Sequence, residues 1–192
     1  MTADVGERVT DAELVVRFQR DPEQFTAVYD RYFRDIYRYV AGRLDVDTAD
    51  DLAAETFLVA FGQRDRFDPG RGNLRAWLFG IATNMVARHR RKEARHYRAL
   101  ARTAPDSAAE ADSHENRVVA AVAAERMQPQ LAKALAALSQ GERDVLLLVA
   151  LSQLSHQEVA EALGISFGTV GSRLSRARKK LHKGFDQEAV NG

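Results

Sequence analysis

The stretch that most limits what this chain can fold into is S-H-Q-E-V-A-E-A-L-G-I-S-F-G-T-V-G-S-R-L-S-R-A-R-K-K-L-H-K, residues 155–183. Ser155 and Glu158 stand at capping-box spacing, so each side chain can satisfy a free backbone N–H at a helix start. A short helix follows, with Val159, Ala160 and Leu163 as its apolar face. Gly164 stops it, because glycine enters the left-handed region without steric cost. Ser166 caps a second helix whose inward residues are Val170, Leu174, Ala177 and Leu181, spaced 4, 3 and 4 apart. A small residue at 160, a turn residue at 164 and a branched residue at 170 predict a helix-turn-helix. The outward face of the second helix carries Arg173, Arg176, Arg178, Lys179, Lys180 and Lys183, with no acid between Ser166 and Lys183. A basic helix face is commonly just solvated. Here it lies on the helix that such a motif inserts into a major groove, which favours DNA binding.

The rest of the charge is segregated rather than uniformly basic. Net charge is only +1 over 192 residues. Arg88, Arg90, Arg91, Lys92, Arg95, Arg98 and Arg102 form one basic block opposed only by Glu93. Asp106, Glu110, Asp112, Glu115 and Glu125 follow, opposed only by Arg117. Two basic patches flank an acidic stretch, a pattern that says more than the sum. Cysteine is absent, which excludes disulfides and thiolate metal sites and fits a reducing cytoplasm. The five histidines show no ligand spacing with carboxylates, so neither metal nor cofactor is expected. The beginning lacks the apolar core of a signal peptide and no run reaches membrane-spanning length, so a cytoplasmic protein is expected.

Upstream, every periodic segment is helical. Thr10 and Glu13 form a capping box. Asp21-Pro22 opens a helix with a broad stripe of Phe25, Val28, Tyr29, Tyr32, Phe33, Ile36, Tyr37 and Val40, read as core. Asp47 is expected to cap a third helix. Leu52, Ala53, Thr56, Phe57 and Ala60 face inward on it, while Asp51, Glu55 and Leu58, with Asp50 beside them, form an acidic face with a hydrophobic tip. Acids near a helix start suit the macrodipole. That accounts for Asp50 and Asp51 but poorly for Glu55 and Leu58, so a basic partner surface is the better reading. Asp68-Pro69-Gly70 marks a turn. Phe67 beside it either folds back onto the core or awaits a ligand with a flat face. Asn73 caps a fourth helix, with Leu74, Trp77, Leu78, Ile81, Ala82 and Met85 buried. Its second stripe, Asn84, Arg88, Arg91, Lys92 and Arg95, joins an amide that can pair with a base edge to cations that can hold phosphates. With Phe67, that combination suits single-stranded or opened DNA.

The fold class is therefore all-α. Two small helical domains are predicted at 10–96 and 129–184, joined by a flexible linker at 97–128 in which a weakly amphipathic helix is plausible from Ser113 to Met127. Pro129 begins the second domain, and Ser139 with Glu142 makes a third capping box. No phosphate loop, dinucleotide turn or nucleophile with a neighbouring base occurs, so an enzyme is not expected.

Two blocks together carry a family resemblance. D-D-L-A-A-E-T-F-L-V-A-F followed by L-R-A-W-L-F-G-I-A-T-N-M-V-A-R-H-R-R resembles region two of bacterial sigma factors. L-A-A-L-S-Q-G-E-R-D-V-L-L-L-V through S-R-L-S-R-A-R-K-K-L resembles region four. The pairing without a third domain between them is similar to the extracytoplasmic-function (ECF) group. The resemblance implies an alternative-sigma initiation factor that binds core RNA polymerase, directs it to promoters and helps melt the minus-10 region. It implies that Asp50, Asp51, Glu55 and Leu58 dock on the clamp helices of the largest polymerase subunit, and that region four meets the flap of the second. Phe67 and Asn84 would capture a flipped minus-10 base, with Arg88, Arg91 and Lys92 on nearby phosphates. Thr169, Ser172, Arg173, Ser175, Arg176, Arg178 and Lys179 would read duplex minus-35 DNA. An anti-sigma factor is an implied partner, and the acidic linker would thread toward the polymerase cleft. The chain departs from the family pattern at Gly171, where many relatives carry Lys or Arg. The alternative is a two-domain regulator with the same DNA-binding motif and a ligand-sensing first domain, which would need an apolar cavity and a dimer surface.

Overall fold

The computed structural model describes residues 9–70, 72–103 and 129–191. Among them, regular structure is entirely helical. α1 (Asp11–Arg20) starts at the Thr10–Glu13 capping box. A 3-10 turn, Pro22–Phe25, then leads into α2 (Thr26–Ala41). The single helix predicted after Asp21 is thus split. Asp21 caps only the turn, accepting from the Glu23 N–H at 3.1 Å. α3 spans Val46–Gly62. Its cap is Asp45, which accepts from the Thr48 N–H at 2.9 Å, and not Asp47 as predicted. Both aspartates suit the position by type, and the one preceding the first helical turn takes it. α4 spans Leu74–Thr103, so residues 97–103 of the predicted linker continue this helix. Residues 104–128, including the helix predicted from Ser113, lie outside the described residues.

The second domain is α5 (Pro129–Ala136), α6 (Gln140–Ala150), α7 (His156–Leu163) and α8 (Phe167–Asn191). Capping boxes at Ser139 and Ser155 start α6 and α7 as their spacing predicts. Gly164 ends α7 at φ 62°, ψ 35°, a left-handed position that L side chains rarely adopt. Arg143, buried within α6, donates to the carbonyls of Leu135 (3.0 Å) and Leu138 (2.8 Å). It thereby satisfies acceptors that the end of α5 leaves open.

One continuous core joins the domains. It runs from Leu14, Phe18 and Val28 through Leu78 and Phe79 on α4 to Leu148, Val159, Val170 and Leu174. α7 lies directly on α4. The backbones approach so closely that a Cβ at Gly80 would sit 2.5 Å from the Ala162 carbonyl oxygen. A smaller core of Leu135, Leu138 and Ala177 sits under α5. The predicted core stripe of α2 needs one correction. Tyr29 is 37% exposed, whereas Tyr39, absent from that stripe, is fully buried. The reason is that α4 packs on the side of α2 that carries Tyr39, with Tyr39 and Phe79 edge to face at 5.4 Å.

Candidate nucleic-acid interface

Three charged surfaces emerge from these helices. On α3, Asp50, Asp51 and Glu55 are exposed and Leu58 is 72% exposed, the most exposed large hydrophobic residue among those described. Ala49, Leu52, Ala53, Thr56, Phe57 and Ala60 hold the opposite side of the helix in the core, which fixes the acidic face outward. Phe61, one turn beyond Leu58, is 39% exposed and continues the apolar tip. Its spacing of three from Leu58 was the available sequence signal.

On α4, Asn84, Arg88, Arg91, Lys92 and Arg95 are all exposed. Arg90 is not part of that rail. It is buried and donates to the Arg43 carbonyl at 2.7 Å. The preceding loop is held from several sides. Gly70 N–H donates to Asp68 Oδ1 at 2.8 Å, making the predicted turn. Of the two alternatives open for Phe67, the fold adopts the inward one. The ring is buried against Trp77, centroids 4.9 Å apart, and Gln19 donates to the Phe67 carbonyl at 3.1 Å. In this arrangement the Phe67 ring offers no free face for a base, unlike the exposed Asn84 amide.

Asn73 does more than cap α4. Its Oδ1 accepts from the Ala76 N–H at 2.6 Å, as a cap should. Its backbone N–H donates to Glu161 and its side-chain amide to Glu158, both at 3.2 Å. Arg75 adds a 3.7 Å ion pair with Glu158 and a hydrogen bond to the Ser152 carbonyl. The first helix of the helix-turn-helix therefore sits on the start of α4. Burial works to raise the Glu158 carboxyl. The Ser155 N–H and hydroxyl, then Asn73 and Arg75, outweigh it and hold the group below its ordinary 4.5.

On α8, Val170, Leu174 and Ala177 are buried, as the spacing predicts. Ser172, Ser175, Arg176, Arg178 and Lys179 are exposed and Thr169 is half-buried. Arg173 departs from the predicted outward face. It is half-buried, with its guanidinium lying where a Cβ on Gly141 would go. Lys180 likewise turns to α6, donating to Glu142 at 2.8 Å, and Arg176 is 3.5 Å from the same carboxylate. The buried acid at the start of α6 draws these cations to its own side of the helix. The Arg176 side chain is still 60% exposed, so it remains accessible to a phosphate. Gly171 has open space around its missing Cβ, while a glycine inside a helix costs about 1 kcal/mol relative to Ala.

A buried polar chain that the sequence did not disclose crosses the domain boundary. Arg43 donates to both Tyr39 and Asp144. The Thr83 hydroxyl donates to the Phe79 carbonyl at 2.7 Å, so the Tyr39 hydroxyl is the donor in its 2.8 Å bond to Thr83. Burial pushes the Tyr39 phenol up, keeping it protonated. The same burial works against the Arg43 charge, but its two partners prevail and the guanidinium is held in its charged form.

No helix among the described residues is long and apolar enough to cross a membrane, and no described cluster could hold a metal ion. Compared with known proteins, residues 28–96 match the family model for sigma-70 region 2 and residues 129–181 that for sigma-70 region 4. The class is thus that of the sigma-70 factors. The ECF RNA polymerase sigma factor SigC of Mycobacterium tuberculosis is 35% identical over 163 residues, covering 83% of this chain and 82% of the relative. SigW of Bacillus subtilis, also an ECF sigma factor, is 31% identical over 172 residues, covering 85% and 89%. Among solved structures, CnrH in complex with the cytosolic domain of CnrY matches with a TM-score of 0.63 at 28% identity, covering 92% of this chain and 97% of that one. The sigma factor RpoE of Bartonella quintana, in complex with the anti-sigma factor NepR, matches with a TM-score of 0.62 at 26% identity, covering 85% and 98%. This chain belongs to the ECF group of RNA polymerase sigma factors, and it acts as an alternative sigma factor in transcription initiation. The ligand-sensing regulator considered from the sequence is not supported by these relatives.

Proposed function

We propose that the chain joins core RNA polymerase through the α3 face and carries it to promoters through α4 and α8, in the cytoplasm. Asp50, Asp51 and Glu55 would pair with a basic surface on the clamp helices of the largest subunit, and Leu58 with Phe61 would supply the dry centre of that contact. Region four would meet the flap of the second-largest subunit. Asn84 would bond the edge of an unpaired minus-10 base while Arg88, Arg91 and Lys92 hold its phosphates. Phe67 joins that site only after leaving Trp77. Thr169, Ser172, Ser175, Arg176, Arg178 and Lys179 would meet duplex minus-35 DNA, with Arg173 released from its place beside Gly141. An anti-sigma partner, as in the RpoE–NepR complex, would act by covering these same faces.

The observation that carries the reading is the separation of one exposed acidic, apolar-tipped helix face from two exposed basic ones within a chain of near-zero net charge. Titrating labelled core polymerase with the full chain tests the first step. Tight binding that Leu58→Asp weakens while Arg88→Ala does not is the expected result. Binding indifferent to Leu58 would remove α3 as the docking face.

A further inference from the structure

Phe167 is 57% exposed at the first position of α8, the second-most exposed large hydrophobic residue among those described. One side of its ring rests near His156, centroids 5.8 Å apart at 57°, and the remainder faces solvent. The residues around it are small. Gly168 and Gly171 each have nothing within 4 Å of where a Cβ would be, so no neighbour in the chain demands glycine at either place. Ser172 is exposed and the Arg173 guanidinium is turned toward Gly141. At about 100° per residue, Phe167, Gly171 and Arg178 fall within roughly 40° of one another on the helix. The first two turns of α8 therefore present one projecting apolar ring on a cleared surface, with the exposed cation Arg178 about three turns further along the same face.

We infer that Phe167 is a specificity-determining residue that reads the methyl group of a thymine in the upstream duplex. The inference rests on the proposal that α8 enters the major groove. Helices of this kind meet base edges with their N-terminal residues. A phenyl ring has no donor or acceptor for the polar atoms of A, G or C. The thymine C5-methyl is the apolar group that the major groove displays. The glycines at 168 and 171 let the base edge and backbone come close to the ring without a second side chain intervening. A lone exposed hydrophobic residue is ordinary in itself. It is the combination of position, cleared surroundings and a cation, Arg178, on the same face that selects DNA as the occupant.

The test uses holoenzyme assembled from the full chain and core polymerase, with a pool of promoter duplexes randomised upstream. Wild-type holoenzyme is expected to select thymine at one fixed position, Phe167→Leu to keep that preference, and Phe167→Ala to lose it there alone. Replacing that thymine by deoxyuridine removes only the methyl. It should weaken wild-type binding about fourfold, the effect of returning one methyl-sized group to water, and leave Phe167→Ala unchanged. An identical selected motif for wild type and Phe167→Ala, or no difference between thymine and uracil for wild type, overturns the inference while leaving groove binding intact. No upstream motif for wild type, with Arg176→Ala and Lys179→Ala also without effect, means that the groove reading itself has failed and the inference with it.

Discussion

Arg43 and Asp144, 101 residues apart in sequence, form a buried ion pair that joins the first domain to the second. The pair is not an unmixed source of stability, since Arg43 Nε is buried without a hydrogen-bond partner. Two desolvated charges give back much of their attraction as lost hydration. Removing one partner is a different matter, because it strands the other charge. Asp144→Ala is expected to cost about 3–5 kcal/mol, whereas Arg43→Met with Asp144→Leu is expected to be near neutral or stabilising. Denaturant unfolding of the single and double variants measures both. A double variant as unstable as Asp144→Ala would contradict this account of the pair.

Gly80 sets how closely the domains meet. An alanine there would press on backbone, the Ala162 carbonyl, and not on a side chain that can swing away. Overpacking of this kind costs about 1–3 kcal/mol. Gly80→Ala should therefore weaken the seat of α7 on α4 while sparing the interior of either domain. The expected signs are a larger radius of gyration in small-angle scattering and separate unfolding transitions for the two halves. An unchanged radius with one cooperative transition would show that the interface tolerates the shift.

Acid should act on the start of α6. The Lys180 ammonium, above all, holds the Glu142 carboxyl below its ordinary 4.5, with the Ser139 cap assisting and burial opposing. A carboxylate depressed in the folded state contributes stability above its unfolded pKa. That contribution is lost as pH falls from about 4.5 through the lower folded value. Glu142→Gln should lower the melting temperature at pH 7 by about 2–4 °C, what a loss of about 1 kcal/mol does to a chain of this size. The gap from wild type should narrow as pH drops below 4.5. A gap that stays constant down to pH 3 would count against the ion pair as its origin.

On the α3 face, the exposure of Leu58 makes a clean functional variant available. Leu58→Asp removes no core packing, so circular dichroism and melting should be unchanged. Core-polymerase affinity should drop at least about tenfold, as expected for an apolar anchor at the centre of an interface.

Much of this was legible beforehand where a local rule has a single outcome. The capping boxes at Thr10, Ser139 and Ser155, the left-handed Gly164 and the buried stripe Val170, Leu174, Ala177 all depend on residues within a turn or two of one another. The exposed stripes on α3 and α4 followed from the same periodicity. What escaped were the features made by distant segments. Glu142, Arg143 and Asp144 read as an ordinary polar helix start, yet all three are buried, each with its own partner: Lys180, the end of α5, and Arg43. Tyr39 and Tyr29 could exchange places on the helical wheel until the position of α4 was known. Phe67 and Trp77 are ten positions apart in a loop and a helix, and only the closed loop brings their rings together. Nor could the sequence place Arg173, whose direction is decided by the space that Gly141 leaves.

The most direct test of the central claim is run-off transcription from genomic fragments by core polymerase with and without the chain, reading the 5′ ends. The account predicts new start sites that share two upstream motifs and disappear with Leu58→Asp. No new starts, together with no binding to core polymerase, would contradict it.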